Sequence, residues 1–274
     1  MENIKMLAIF GVSMISFVIG AQNLVNNGDA ESGIENWSAN QVEIITENPN
    51  SGKSCFRKLS SVNDILSNKA IPIDTTKVYT LSGSFRSTDN NVVDLFFGLY
   101  PFDEKEQPIS AEQVNAIPET ETEISAACKP EDTIIKIKDG SKWKISDKVD
   151  LIAFNVDNSG EYKDIPNRSL AGIVVKAENK NNMWELTLDK ACGVAFPAGT
   201  KIRQHKYGNY FIYPIIQTQF DTKDWKDLSA EIEGVAKTGV PGKQFWHGTK
   251  YVKIGILACG GAICFDNIKL EEKK

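Results

Sequence analysis

The chain has 274 residues, and 41% of them are hydrophobic, which is enough apolar material for a large core in one or two domains. Its formal net charge of -5 gives no positive field that would attract nucleic acid or an anionic membrane, so neither is expected as a partner. A neutral or weakly charged ligand suits this composition better.

Residues Met1 to Ala21 have the pattern of a cleavable secretory signal. Lys5 precedes the apolar run MLAIFGVSMISFVIG, and the small residues Gly20 and Ala21 close the segment. The run is shorter than the ~20 residues that a membrane-spanning helix needs, which disfavours the alternative of a membrane anchor. We therefore expect a secreted mature chain, extracellular or periplasmic.

Most of the remaining chain is predicted as β-strand. VYTLSGSFRS, from Val78 to Ser87, alternates in character with a period of two, and the mostly apolar NVVDLFFGLYPFD follows a DNN turn. Short strand-like runs separated by turn sequences continue to the closing ICFDNIKL. Only SAEQVNAI could form a short helical turn. The pattern predicts an all-β fold.

The middle of the chain, from about Ala111 to His205, differs from its flanks. The acidic sequence PETETEI opens it, and short strands with Lys-rich faces then follow at regular spacing. We predict a small barrel-like β-domain, residues 111–205, inserted into an outer domain made of residues 22–110 and 206–274. The alternative is one continuous large sandwich.

The chain contains five cysteines, an odd number that leaves at least one free thiol. A secreted chain permits disulfides. We expect Cys128 to pair with Cys192, because both lie in the middle segment, and Cys264 to pair with Cys55 or Cys259. The alternative is that all five are reduced and buried as small hydrophobic residues.

Several short motifs in the two flanks occur in the order typical of a known family. They are NLVNNGDAESGIENW, SGKSCFRK, VYTLSGSFRS, WKDLSAEIEG, KYVKIGIL and ICFDNIKL. This ordered set resembles the secreted carbohydrate-binding modules of the family 4/9/16/22 type, which are galactose-binding-like jelly-roll β-sandwiches. The resemblance implies a jelly-roll sandwich for the outer domain and carbohydrate binding as its function. The inserted segment has no counterpart in an ordinary module.

The resemblance also implies a structural Ca²⁺ between the N-terminal loop and the last strand. Ca²⁺ binds six to eight hard oxygen atoms, which carboxylates and loop carbonyls from distant parts of a chain can provide. The matching positions are the carboxylates of Glu31 and Asp266, the backbone carbonyl of Lys53, and Asp29 as a further candidate. The alternative is that Asp29 and Glu31 are solvated loop residues.

Sugar binding needs flat aromatic faces and a few polar side chains that bond to hydroxyl groups. In VYTLSGSFRS, Arg86 is expected on the face opposite the core, and Trp246 and His247 lie in the polar loop sequence FWHGTK. The candidate ligand-binding residues are Arg86, Tyr100, Tyr213, Trp246 and His247.

Core packing is the alternative for most aromatic rings. It is the favoured interpretation for Phe96, Phe97 and Phe211. Trp37 and Trp225 match positions that the family uses for packing, so they are left out of the ligand site.

The sequence offers little material for catalysis. His205 and His247 are the only histidines, and the chain contains neither GxSxG nor HExxH. A glycosidase would need two carboxylates facing one cleft, for which Glu121 and Glu123 are the available pair. The stretch Asn155 to Asp164 begins like a calcium-binding EF-hand loop but has Pro166 at the twelfth position, so we expect a polar turn.

Together these patterns predict a secreted, non-catalytic, monomeric protein that binds polysaccharide by aromatic stacking and hydrogen bonds. The alternative is a surface-assembly or protein-interaction module on the same fold, and a polysaccharide hydrolase or lyase is less favoured.

Overall fold

A computed structural model describes residues 22–89, 91–146 and 148–273 of the chain. The predicted signal segment, Met1 to Ala21, lies outside the described residues. Within the described ranges, no helix is long and apolar enough to cross a membrane.

Strands make up nearly all of the regular secondary structure in the described residues, which confirms the predicted all-β class. The first six strands are β1 (Val42–Ile45), β2 (Cys55–Lys58), β3 (Asp64–Leu66), β4 (Ile71–Pro72), β5 (Val78–Ser87) and β6 (Val93–Phe102). A short helix, α1 (Ala111–Val114), follows within the predicted SAEQVNAI. The middle strands are β7 (Thr122–Glu123), β8 (Ile134–Ile137), β9 (Asp150–Phe154), β10 (Leu170–Lys180), β11 (Met183–Leu188) and β12 (Lys201–Lys206). The last four are β13 (Ile212–Phe220), β14 (Lys226–Glu233), β15 (Tyr251–Cys259) and β16 (Ile263–Glu272).

Two antiparallel sheets from the flanks of the chain pack face to face as a sandwich. Sheet A has the strand order β1-β2-β16-β5-β14, and sheet B has the order β13-β6-β15-β3 with β4 also paired to β15. Phe85 of sheet A meets Phe97 of sheet B with ring centroids 5.0 Å apart. Trp37 packs against Phe56 and Phe265 at 5.2 Å each, so it is a core residue as expected.

Alternation along β5 explains how this sheet finds its inner face. Tyr79, Leu81 and Phe85 are buried in the core, while Thr80 and Arg86 lie on the outer face. Strand β6 has the same alternation, with one apolar row inside and one aromatic row outside.

The middle strands form a separate six-stranded sheet with the order β7-β12-β9-β10-β11-β8. A bridge between Ile124 and Ile137, supported by the Ser125 N–H donating to the Lys136 carbonyl at 2.8 Å, joins the two ends and closes a small barrel. The barrel has its own apolar core. The division of the chain at residues 111 and 205 stays a prediction, and α1 contributes Ala111 and Val114 to the sandwich core.

All five cysteines carry free thiols in this structure, and four of them lie in two neighbouring pairs. Cys55 lies beside Cys264, and Cys128 lies beside Cys192. Burial raises the pKa of the Cys128 thiol to about 12, and its neighbour Cys192 adds to the effect. The Cys128 thiol is therefore a poor nucleophile as it stands.

We expect protein secreted into an oxidising compartment to contain a single titratable thiol after denaturation without reductant. The two neighbouring pairs would be oxidised to disulfides, which leaves Cys259 free. Thiol titration measures this directly, and the Cys259→Ser variant should give a value close to zero. Five thiols per chain in the secreted wild-type protein would contradict the prediction.

Candidate functional site

The outer face of sheet B carries a continuous row of aromatic rings. Phe96, Tyr100 and Phe102 of β6 point away from the core, and Phe211 and Tyr213, from the residue before β13 and from β13 itself, lie beside them. Adjacent ring centroids are 5.4 Å apart for Phe96 and Tyr213, 5.1 Å for Tyr213 and Phe211, 5.3 Å for Phe211 and Tyr100, and 5.1 Å for Tyr100 and Phe102. We call these five residues the aromatic stripe.

A glycine lets the stripe lie close to the sheet. The ring of Phe211 sits directly over Gly255 of β15, where a Cβ atom would be only 2.4 Å from the ring carbons. Phe211 is 6% exposed and Tyr213 is 9% exposed, so these two rings form a base. Phe96, Tyr100 and Phe102 are half-buried and each keeps part of its surface open to solvent.

Polar groups border the stripe. The Lys253 Nζ lies 5.5 Å from the ring centroid of Phe102. Burial raises the pKa of the Tyr213 hydroxyl, and the nearby Asp64 carboxylate adds to the shift. Burial likewise raises the pKa of Tyr100. Both phenols are therefore neutral hydrogen-bonding groups across the physiological range.

The structure brings together only part of the predicted ligand-binding set. Tyr100 and Tyr213 belong to the same stripe, joined through Phe211. Arg86 lies on the outer face of sheet A, on the other side of the sandwich, with its guanidinium 5.3 Å from the ring of Trp225 and its Nη2 donating to the Glu47 carbonyl at 3.0 Å. Arg86 therefore cannot share one ligand site with the two tyrosines.

Trp246 and His247 also lie outside the aromatic stripe. Trp246 is 0% exposed and its Nε1 donates to the Pro241 carbonyl at 3.3 Å, so the ring has no face open to a sugar. The Nδ1 of His247 lies 2.8 Å from the Ile165 carbonyl, where the sandwich contacts the barrel. Trp246 is therefore a core residue, although its polar loop sequence predicted an exposed ring.

The outer face of sheet A has a groove of about 370 Å³ with a different chemistry. Apart from Gly83 and Leu228, its lining is polar and consists of Asn50, Ser82, Ser84, Asp227, Ser229, Asn267 and Lys269. Ser84 Oγ donates to Asp227 at 2.6 Å, and Asn50 donates to Ser84 at 2.9 Å. These groups already satisfy one another, and the lining includes no aromatic face on which a sugar ring could stack.

The residues predicted to bind calcium meet at the base of the sandwich. The loop Asn50 to Ser54 lies between the N-terminal loop and β16. Glu31 Oε1 accepts the N–H of Lys53 at 2.8 Å and that of Ser54 at 2.9 Å, and these bonds lower the pKa of Glu31. Asp266 Oδ2 accepts the N–H groups of Asn50 and Ser51 at 3.1 Å each.

A nearby cation would stabilise the charged form of the Asp266 carboxylate. Its side chain is fully buried, and burial raises its pKa, with the like charge of Asp29 acting in the same direction. Within the described ranges, no group of three or more His, Cys, Asp or Glu side chains is arranged to hold a metal ion. The carboxylates around Asp266 would therefore bind Ca²⁺ only together with several main-chain carbonyls as further ligands.

The EF-hand-like stretch is a polar turn, as expected. The carboxylate of Asp157 accepts hydrogen bonds from the N–H groups of Ser159 and Lys163 at 3.0 and 3.1 Å, which lower its pKa to about 2. Asp164 is bonded to Arg203 at 2.8 Å. Both carboxylates are used within the protein.

The glycosidase pair has the wrong electrostatics for acid catalysis. Glu123 forms salt bridges with Lys138 and with Lys201, and these hold its pKa at about 2. A general acid needs a raised pKa so that it carries a proton near neutral pH. Glu123 therefore remains a carboxylate, and with Glu121 it does not form an acid–base pair.

A buried polar network joins the barrel to α1 of the sandwich. Arg203 of β12 pairs with Asp164 at 2.8 Å and lies 4.8 Å from the ring centroid of Tyr162. Arg203 Nε donates to His205 Nε2 at 3.2 Å, and His205 Nδ1 is 2.7 Å from the Glu112 carbonyl. These partners require a neutral imidazole that carries its proton on Nδ1. We call these residues the junction network.

Burial, aided by Arg203, lowers the pKa of His205 to about 4. At a pH below about 6.5, the ordinary pKa of histidine, His205 is protonated in the unfolded chain but stays neutral in the folded chain. The free energy of unfolding should therefore fall by roughly 3 kcal/mol as the pH drops from 6.5 to 4. Denaturant unfolding at several pH values measures this slope. The His205→Gln variant should lack this component, and equal slopes for the two proteins would contradict the prediction.

Two residues near the stripe were not singled out from the sequence. They are Glu112 of α1 and the exposed Tyr207 in the segment before β13. The turn sequence KYGNY, with two tyrosines around Gly208 and Asn209, is a signal that favours exposed aromatic rings. Glu112 gave no signal, because its position depends on where the helix packs.

Comparison with known proteins gives structural likeness at low levels. The CBM22-1 xylan-binding domain of Xyn10C from Paenibacillus barcinonensis is 8% identical with a TM-score of 0.35, and the match covers 87% of this chain and 85% of that chain. TmCBM61, solved with β-1,4-galactotriose, is 8% identical with a TM-score of 0.31, covering 92% of this chain and 100% of that chain. No protein-family model matches the chain, and no curated protein matches it. Both TM-scores are too low to establish a family or a ligand.

Proposed function

We propose that this chain is a secreted, non-catalytic protein that binds a neutral polysaccharide on the outer face of sheet B. The observation that carries the proposal is the aromatic stripe. Three of its rings, Phe96, Tyr100 and Phe102, keep part of their surface open to solvent above a base formed by Phe211 and Tyr213.

The stripe has the chemistry that sugar rings require. The C–H faces of a pyranose pack on flat aromatic rings, and its hydroxyl groups need hydrogen-bond partners at the border. Tyr100 and Tyr213 provide neutral phenols, and Lys253 of β15 and Asp64 of β3 provide charged groups along one side of the stripe. A row of rings about 5 Å apart suits an extended chain of sugars better than a single small ligand.

Affinity electrophoresis tests this function. The wild-type protein is run through native gels that contain soluble glucan, mannan, xylan or galactan, with a gel lacking polysaccharide as reference. We expect retardation in at least one of these gels. Equal mobility in all gels would remove the proposed function.

We also propose that a Ca²⁺ ion is held at the base of the sandwich by the carboxylates of Asp29, Glu31 and Asp266, together with the Lys53 carbonyl and other main-chain carbonyls. The support is the buried charge of Asp266 beside that of Asp29. Such an ion would offset this repulsion and tie the N-terminal loop to β16. It would have no role in binding the sugar directly.

Removal of calcium should lower the melting temperature by roughly 5–10 °C if the ion saturates its site. Calorimetry with and without a chelator measures this difference. Asp29→Asn keeps the shape of the side chain and should remove most of the calcium dependence. An unchanged midpoint in wild-type protein would remove the calcium proposal.

A second candidate function is a protein-interaction module that uses the barrel. The observation in its favour is a set of exposed large apolar side chains on the barrel, namely Ile134, Val175, Met183 and Val194. A chain that fails to bind any of the four polysaccharides but self-associates in sedimentation, with loss of association in Ile134→Lys, would favour this function.

A further inference from the structure

A cleft of about 440 Å³ lies beside α1, against the barrel. Glu112 of α1 and Tyr207 line it from one side. The barrel lines it with residues from β9, β10 and the turn after β11, among them Leu151, Leu170 and Lys190. The cleft is therefore built from both the sandwich side and the inserted barrel.

Glu112 is the unusual group in this cleft. Its Oε2 atom is buried without a hydrogen-bond partner, one of two such side-chain atoms in the part of the chain that the structure describes. A buried carboxylate oxygen without a donor is costly, and the cost is recovered when a donor arrives. The backbone around it is fixed, since its carbonyl is 2.7 Å from Nδ1 of His205 in the junction network.

Helix α1, which lines the cleft, lies near one end of the aromatic stripe. After β6 the chain folds back along the strand, with an antiparallel bridge between Phe102 and Pro108 and the Ile109 N–H donating to the Pro101 carbonyl at 3.0 Å. This return brings α1 alongside the end of β6 that carries Tyr100. The pKa of Tyr100 reflects the proximity, because Tyr210 and Glu112 both add to the rise caused by burial.

Two exposed tyrosines lie in the segment that leads from the cleft into the aromatic stripe. Tyr207 is 43% exposed and Tyr210 is 59% exposed. Their segment is held on the helix, where Gly208 leaves only 3.0 Å between an added Cβ atom and the Ala111 side chain. Burial raises the pKa of Tyr207, and Glu112 and Tyr210 add to it. The four groups thus lie in one neighbourhood.

We infer that the cleft is a second sugar subsite, in which the Glu112 side chain turns toward the ligand and its carboxylate accepts hydrogen bonds from hydroxyl groups of a neutral polysaccharide. This inference rests on the proposed function, because the preceding sugar units lie on the aromatic stripe. Tyr210 and Tyr207 contact the units between them. The inserted barrel then acts as the second wall of the binding site. Polysaccharides with acidic sugar units are disfavoured in the subsite by the charge of Glu112.

The inference predicts an effect that depends on ligand length. A two-unit oligosaccharide is held by the stripe alone, whereas a six-unit oligosaccharide reaches the cleft as well. Titration calorimetry with two- and six-unit β-1,4-linked gluco-, manno-, xylo- and galacto-oligosaccharides provides the probes. For Glu112→Gln we expect about a tenfold loss of affinity for the six-unit ligand and less than about a twofold change for the two-unit ligand.

Three further variants sharpen the test. Ala191→Arg fills the cleft from an exposed position on the barrel, and Tyr210→Ala removes the most exposed ring; both should weaken only the six-unit ligand. Glu104→Gln, at an exposed glutamate in the turn after β6, is the matched control and should bind as wild type. Melting temperatures of all four variants should stay close to wild type, which separates a binding role from a structural one.

The possible failures are distinguishable. If the wild-type chain binds neither length of any probe, the proposed function fails. If it binds, but Glu112→Gln changes the affinity for both lengths equally or for neither, the function stands and the cleft subsite is overturned.

Discussion

Replacing Tyr100 by alanine is expected to weaken polysaccharide binding by about 30-fold, equivalent to about 2 kcal/mol. Tyr100 lies within the stripe, and its ring centroid is 5.1 Å from that of Phe102 and 5.3 Å from that of Phe211. The substitution removes a solvent-exposed stacking surface and exposes the rings of Phe211 and Tyr213 beneath it. Titration calorimetry or affinity electrophoresis with the polysaccharide that retards the wild-type protein measures the loss.

Two companion variants give this result its meaning. Tyr100→Phe keeps the ring and should retain most of the affinity, which shows that stacking is the main contribution. Trp225→Ala removes a half-buried ring from the outer face of sheet A, beside Arg86, and should leave binding unchanged. Loss of binding in Trp225→Ala with normal binding in Tyr100→Ala would move the site to the other face of the sandwich.

Replacing Arg203 by alanine is expected to cost about 3–5 kcal/mol of unfolding free energy. The Arg203 side chain is fully buried, and its removal leaves the Asp164 carboxylate in a nearly closed environment without its positive partner at 2.8 Å. It also removes the group that donates to His205 Nε2. Because the junction network ties the barrel to α1, the damage should include the cleft beside Glu112.

Arg168 provides the matched control for this prediction. It pairs with Asp103 at the same distance of 2.8 Å, but its side chain is 41% exposed. An exposed ion pair contributes about 0–1 kcal/mol, so Arg168→Ala should be close to wild type in denaturant unfolding. Similar losses in the two variants would contradict the importance assigned to burial of Arg203.

The strands of the sandwich were predictable because their residue patterns are local. The alternation in Val78–Ser87 fixes which side of β5 faces the core, and the parity of Phe96, Tyr100 and Phe102 fixes which face of β6 is aromatic. Two of the predicted ligand residues, Tyr100 and Tyr213, were found from this kind of reasoning. The structure places both in the aromatic stripe.

The errors arise where position depends on how a loop folds back. Trp246 lies in a polar loop sequence, yet the loop turns inward, and its neighbour Phe245 packs edge-on against Tyr79 at 5.8 Å. Arg86 was placed on the correct side of its strand, but no local pattern indicates that sheets A and B present their outer faces in opposite directions. Glu112 could not be found because its site needs both the helix and the barrel.

The most direct test of the central claim is to locate a bound oligosaccharide on one face of the sandwich. NMR spectra of uniformly labelled protein can be followed at the aromatic rings and at the backbone amides during titration with a six-unit oligosaccharide that the protein binds. We predict the largest shifts at Phe96, Tyr100 and Phe102, with small changes at Phe85 in the core. Shifts confined to amide groups around Ser82, Ser84 and Asp227 would place the ligand in the groove of sheet A and contradict the account.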